Sequence, residues 1–401
     1  MISQIHIKNF KSIVDLTLEL GRVNLFIGEN GSGKSNLLEA VAFLSSINSI
    51  DEDGILFSKG VRETEAELFS SAFSDDIPNI DIDFIADNQL IKTSYKIEDP
   101  MFLNWKDIST LEKAEGFKNI LKKYGKHIEY NPFNNPFNFT TDFDEPSSLI
   151  QDITFREDTS DELETQIITE LEEYAYYHYY RYYNYLTKFV IYSPEVSALR
   201  EFKEKWHVRP LGIHGEGLFS LLVSMSKDNG SLQHIKEHLE LIDWYDDFII
   251  PNDLMSNEYR ISIKDRFIDS NLKYLDQRSA NEGFLFLLFY IVLFSSKKTP
   301  QFFAIDNIEA SFNPKLCAKL INTLVELAKK NDKQVLMTTH NPATLDGLNL
   351  NDPEQRLFVV ERNLDGHTIV TRITEKPKID KPMKLSEMWT KGYLGGLPEN
   401  F

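Results

Sequence analysis

Gly28-Glu29-Asn30-Gly31-Ser32-Gly33-Lys34-Ser35 is a glycine-rich loop that follows directly on the apolar run Val23-Asn24-Leu25-Phe26-Ile27. After it, Leu37, Leu38, Val41 and Leu44 recur at helical spacing, which predicts a helix from about Lys34 to Ser45. Strand, loop and helix in this order form the context in which a loop of this kind holds phosphate. Gly28 and Gly33 allow the backbone to wrap an anion with its N–H groups, and Asn30, Gly31, Ser32 and Asn36 belong to the same wrap. Lys34 brings a cation to the β- and γ-phosphates and Ser35 offers a hydroxyl to a metal ion. The helix that starts there points its positive end at the same charge. The expected ligands are a nucleoside triphosphate and Mg²⁺.

A phosphate loop does not by itself choose among kinases, GTPases, helicases and ABC-like ATPases. Two distant segments narrow the choice. Phe302-Phe303-Ala304-Ile305-Asp306 is an apolar strand ending in an acid, suited to delivering a carboxylate to the Mg²⁺ shell beside Ser35. Thr338-Thr339-His340-Asn341-Pro342 follows the next apolar run and sets one histidine at a strand end. A lone histidine is usually structural or exposed; one strand beyond the acid, His340 is expected at the γ-phosphate.

Further outward, Ile5/Ile7 and Leu16/Leu18/Leu20 alternate as two short strands joined by a turn, and Ile80 to Ile85 and Ile91 to Ile97 as a hairpin. At the other end, Phe302 to Ile305, Pro314 to Lys330, Gln334 to Thr338 and Arg356 to Val360 read strand, helix, strand and a last strand. That alternation predicts a mainly parallel sheet covered by helices. Residues 1–99 and 189–401 are therefore expected to form the two parts of one α/β head with an N-terminal antiparallel β lobe. Residues 100–188 are expected to form a mostly helical insertion, including a helix from Asp161 to Leu186 ringed by tyrosines. The ring implies packing on two sides, with stacking of nucleic-acid bases as the sharper alternative.

The 401 residues are 42% hydrophobic, enough for a substantial core. The longest apolar run, Phe284 to Phe294, is too short to cross a bilayer. Met1 to His6 has a strand pattern and not the layout of a secretory leader. The single Cys317 excludes an intrachain disulfide and a cysteine-based zinc site, so a cytoplasmic protein is expected. A net charge of −19 argues against a broadly basic nucleic-acid binder while leaving room for a local seam. Arg372 to Lys391 and Lys203 to Arg209 are the two candidate stretches, and both read as ordinary solvated surface.

Ile5-His6-Ile7-Lys8-Asn9-Phe10-Lys11-Ser12, followed by Asn24 to Asn36, resembles the N-terminus of RecF, SMC and OLD-family ATPases. Ala304 to Pro314 resembles their joined Walker B and D-loop, and Thr339-His340-Asn341-Pro342 their H-loop. Ser279-Ala280-Asn281-Glu282-Gly283-Phe284 stands where the ABC signature belongs. The tail, Leu385 to Trp389 and Gly392 to Pro398, is similar to that of stand-alone AAA/ABC-type ATPases, many of them from bacterial defence loci. The resemblance implies a head that dimerises around two ATP molecules, each site joining the P-loop, Asp306 and His340 of one copy to Asn281–Gly283 of the other.

Three departures stand out. Asn307 occupies the position of the usual catalytic glutamate and cannot act as a base at neutral pH, which implies slow hydrolysis. Glu309 is acidic and nearby, but also matches a second acid that relatives often carry. Asn281 replaces the signature serine, and no convincing Q-loop glutamine precedes Pro100. The leading expectation is an ATP-gated dimeric sensor in an anti-phage defence system, acting with a separate effector such as a nuclease. The alternatives are a RecF-like repair ATPase clamping duplex DNA and a nucleotide-bound scaffold that does not hydrolyse.

Overall fold

The structure, a computed structural model, describes residues 1–47, 60–61, 66–71, 73, 79–86, 89–99, 104–112, 122–130, 138–139, 153–156, 158–202, 210–228, 230–251, 258–268, 274–378 and 382–397. The N-terminal segment alternates as its sequence requires, giving β1 (Ile2–Phe10) and β2 (Ile13–Glu19). Val23–Gly28 forms β3, with every residue buried, and runs through the loop into α1 (Lys34–Ile47). The hairpin follows as β4 (Ile80–Ala86) and β5 (Gln89–Asp99), paired antiparallel from Ile80↔Tyr95 to Ala86↔Gln89.

The lobe's sheet does not stop at residue 99. β6 (Asn104–Glu112) pairs antiparallel with β5, and the six-stranded sheet takes in two strands from the segment expected as the insertion. That segment also supplies β7 (Ile128–Tyr130), β8 (Asn138–Phe139), β9 (Ile153–Phe155) and the long α2 (Asp161–Thr187). Ser160 caps α2 by accepting the N–H of Leu163, and three acids fill its first turn, both favourable at a helix N-terminus. Of the tyrosines expected around this helix, the side chains from Tyr174 to Tyr183 lie outside the described residues. Tyr185 is half-buried, stacks on Phe302 at 5.5 Å between ring centres and donates its hydroxyl to Gln334 Oε1 at 2.9 Å.

The rest of the chain contributes β10 (Ile191–Tyr192), α3 (Val196–Glu201), α4 (Leu218–Ser226), α5 (Ser231–Leu239) and a small antiparallel sheet of β11 (Tyr245–Ile249), β12 (Ser262–Asp265) and β13 (Leu275–Asp276). Then come α6 (Glu282–Ser295), β14 (Phe302–Ile305), α7 (Pro314–Lys330), β15 (Gln334–Thr339) and β16 (Gln355–Arg362). Arg356 to Val360 is not the last strand, as had been expected. β17 (Thr368–Ile373) returns antiparallel to β16, ahead of α8 (Leu385–Thr390).

The central sheet has the order β10-β14-β15-β3-β16-β17, parallel except for the edge strand β17. Its strands alternate between two cores, the period-two consequence of covering both faces. Val23, Leu25, Ile27, Phe303, Ile305, Val335 and Met337 join one core. Phe26, Phe302, Ala304, Leu336 and Phe358 join the other, with α1 and the N-terminal lobe. α6 is buried from Phe284 to Phe294 because it lies inside the first core. Among the described residues no helix is long and apolar enough to cross a membrane.

Candidate nucleotide-binding site

In a parallel sheet, ligands sit beyond the carboxyl ends of the strands. Here those ends carry the chemistry: the P-loop leaves β3, Asp306 follows β14, His340 follows β15, and Arg362 ends β16. β15 and β16 are the two neighbours of β3, so His340 and Arg362 flank the loop.

The loop is braced from behind. Gly33 has φ +105°, and a Cβ there would lie 2.1 Å from Thr368 Oγ1. Thr368 donates its hydroxyl to the Ser32 carbonyl at 3.1 Å and its N–H to the Ser12 carbonyl at 2.8 Å. The Ser12 and Thr368 hydroxyls meet at 2.7 Å, and Asn36 Nδ2 donates to Ser12 Oγ at 2.6 Å. Asn36 thus holds the brace while also lining the cavity in front. On the other side, Arg362 Nε donates to the Gly31 carbonyl at 2.7 Å.

Lys34 is 5% exposed and donates to the carbonyls of Gly28 at 2.9 Å and Glu29 at 2.7 Å. Burial pulls its ammonium down to about 8, against the opposing charges of Asp306, Glu309 and Glu29. Such an ammonium gains strongly from an arriving phosphate. Ser35 Oγ lies 3.4 Å from Asp306 Oδ2, and the buried Thr338 hydroxyl donates to Asp306 Oδ1 at 2.5 Å. Thr338 Oγ1 also accepts the Asn307 N–H at 2.9 Å, so one side chain fixes both the acid and its neighbour. Asn307 is exposed and adopts φ +57°, a region that asparagine tolerates better than most residues.

Lys34, Ser35, Asp306 and Asn307 line a cavity of about 370 Å³ that also takes in Lys11, Asn30, Glu39 and His340. Burial, and then Lys34, holds the His340 imidazole below its usual range, with Glu309, Asp306 and the Gly28 backbone opposing. Glu309 is not among the cavity's lining residues; its Oε1 accepts the His340 N–H at 2.7 Å. The Ser35 hydroxyl and Asp306 carboxylate are hard oxygen donors on facing elements, a pair that suits Mg²⁺. No cluster of three or more His, Cys, Asp and Glu side chains placed to hold a metal occurs among the described residues. The Ser32 hydroxyl is buried without a partner among them.

Asn281 and Gly283 are not brought to this cavity. They line another, of about 520 Å³, with Trp244, Ser311 and Lys315, and the two share no lining residue. Asn281 caps α6 by accepting the Phe284 N–H on Oδ1 at 2.8 Å. No glutamine lines the P-loop cavity among the described residues. Of the basic stretches, Arg372 pairs with Glu19 at 2.9 Å, while residues 203–209 lie outside the described residues. Arg362, Thr368 and Thr338 had no assigned role in the sequence, and Lys11 was quoted only as part of a resemblance.

A family model described as an AAA ATPase domain matches residues 1–344. The uncharacterized protein MJECL10 of Methanocaldococcus jannaschii is 47% identical over 64 residues, 16% of this chain and 28% of that protein. The DNA replication and repair protein RecF of Renibacterium salmoninarum is 42% identical over 66 residues, 16% of each chain. The chain therefore matches less than a third of the length of either relative. Among solved structures, an SmcHead bound to the C-winged helix domain of ScpA superposes with a TM-score of 0.54 at 15% identity, covering 93% of this chain and 98% of that one. That likeness establishes an ABC-ATPase head fold. A family match running from the first strand past His340 settles the assignment: the chain belongs to the AAA ATPase domain family, a nucleotide-binding module of the RecF- and SMC-like kind.

Proposed function

We propose that this chain is an ATP-driven pairing module, two copies of which close on two ATP molecules. The single observation that carries this reading is the separation of the two cavities. Asn30, Gly31, Gly33, Lys34 and Ser35 of the P-loop line one with Asp306 and His340, while the N-terminus of α6 at Asn281–Gly283 lines the other. A helix N-terminus offers N–H groups to an anion, and a second copy is the partner whose γ-phosphate can meet them. Lys34, the loop amides and His340 bind and orient the triphosphate. Mg²⁺ held by Ser35 and Asp306 would spread the charge of its β- and γ-oxygens. Asn307 lines the cavity but cannot take a proton from water at neutral pH, so turnover is slow and the closed pair long-lived.

The relatives named for DNA replication and repair favour a RecF-like role on duplex DNA over the defence-sensor role suggested by the tail. With a net charge of −19, any DNA contact must come from a narrow local seam. Light scattering in ATP, in ADP, and in ATP with duplex DNA at two salt concentrations tests the proposal. The expected result is a dimer in ATP, a monomer in ADP, and salt-sensitive DNA binding by the ATP form. A dimer indifferent to nucleotide would replace pairing with a scaffold role. An ATP dimer that ignores DNA would return the sensor reading and its separate effector.

A further inference from the structure

Glu309 stands two residues beyond Asn307, where it could either replace the missing base or serve another purpose. Its two oxygens differ. Oε1 accepts the main-chain N–H of His340 at 2.7 Å, while Oε2 is buried with no hydrogen-bond partner among the described residues. The same carboxylate acts on Lys34 and His340.

A base must reach the attacking water, directly or through one more water. Glu309 is absent from the lining of the P-loop cavity, and half of its carboxylate is committed to the backbone of β15's end.

We infer that Glu309 is a positioning residue: its carboxylate fixes the His340 backbone beside the P-loop and is not the base that activates water. The hydrogen bond lies within one chain, but its consequence for turnover rests on the proposed function.

The test compares E309A and E309Q in the full chain. Hydrogen exchange at the His340 amide, read in nucleotide-free protein, is expected to speed up by about tenfold or more in E309A. It stays within about threefold of the starting protein in E309Q, whose amide oxygen still accepts the N–H. In turnover, E309A is expected to lower kcat about tenfold with little change in KM for ATP, and E309Q to recover most of it. If E309A folds poorly, E309D, which withdraws the carboxylate by one carbon, serves in its place. An E309Q as inactive as E309A, with the His340 amide still protected, would make Glu309 the base and overturn the inference. Unchanged exchange in E309A would overturn it as well. A chain that fails to pair in ATP refutes the proposed function, and the exchange measurement then still decides the role of Glu309.

Discussion

The Gly33 backbone and the Thr368 hydroxyl are packed so closely that a single methyl group at Gly33 would lie 2.1 Å from Thr368 Oγ1. The phosphate loop and the β16–β17 hairpin are thus fitted to each other, though far apart in the chain.

Gly33→Ala is therefore expected to displace the loop and weaken ATP binding by well over tenfold. The displacement combines a backbone at φ +105° with a collision against a hydroxyl held by two hydrogen bonds. Gly31→Ala is the control. Nothing lies within 4 Å of a Cβ there, so it carries only the cost of φ +80°, about 1 kcal/mol. Titration with a fluorescent ATP analogue separates the two, and equal losses would mean that strain alone, without the Thr368 contact, governs the loop.

This pairing also marks the boundary of what the sequence made legible. Gly28 to Ser35, Asp306 and His340 could be read because each sits directly after a strand that is buried on both faces and therefore nearly continuous in apolar residues. Arg362 and Thr368 could not. Their roles arise when β16 pairs with β3 and β17 folds back on β16, and neither pairing leaves a periodic trace at those residues. β6 was hidden for a related reason. Asn104-Trp105-Lys106-Asp107 lacks clean alternation, and pairing with β5 is what makes it a strand. The separation of the two cavities could not be read in advance, since only the folded chain shows that Asn281 and the P-loop face different spaces.

The affinity for ATP is expected to fall at alkaline pH. Burial brings Lys34 from 10.5 in the unfolded chain to about 8 in the fold. The phosphate-binding form is the ammonium, so in the nucleotide-free protein it is present below about 8 and lost above it. Affinity then declines by up to about tenfold per pH unit beyond that point. Folding stability moves the other way: the lowered value makes the Lys34 contribution full above 10.5 and lost as pH falls through about 8. Calorimetric titration with ATP from pH 7 to pH 9.5 reads the first effect, and Lys34→Gln should abolish the slope along with most of the affinity.

Asn307→Glu is expected to raise phosphate release by at least about tenfold. The position lines the cavity, and Thr338 holds its backbone N–H at 2.9 Å, so the new carboxylate is delivered from a fixed point. Against this stands the φ of +57°, which asparagine accepts at less cost than glutamate, a difference of about 1 kcal/mol. A small loss of thermal stability should accompany the gain. Asn307→Ala, which adds no base, is expected to leave release at its original rate. An unchanged rate in Asn307→Glu would show that the missing carboxylate does not limit turnover.

Asn281→Asp separates ATP binding from pairing. The asparagine side chain caps α6 through Oδ1, which accepts the Phe284 N–H at 2.8 Å, and an aspartate oxygen can do the same at a helix N-terminus without loss. The fold and the binding of ATP by a single copy should therefore persist, because no residue of the P-loop cavity is touched. What changes is the charge presented by the second cavity. A carboxylate at the entrance of α6 repels a triphosphate arriving on another copy, at a cost of about 1–4 kcal/mol for charges some 4 Å apart. The expected outcome is normal nucleotide affinity with ATP-dependent dimerisation weakened by about tenfold or more, read by light scattering across a concentration series. Asn281→Ala should differ in kind, losing about 1 kcal/mol of helix stability through the missing cap while retaining part of the pairing. Dimerisation by Asn281→Asp at full strength would show that α6 does not face the partner's phosphates and would remove the signature segment from the shared site.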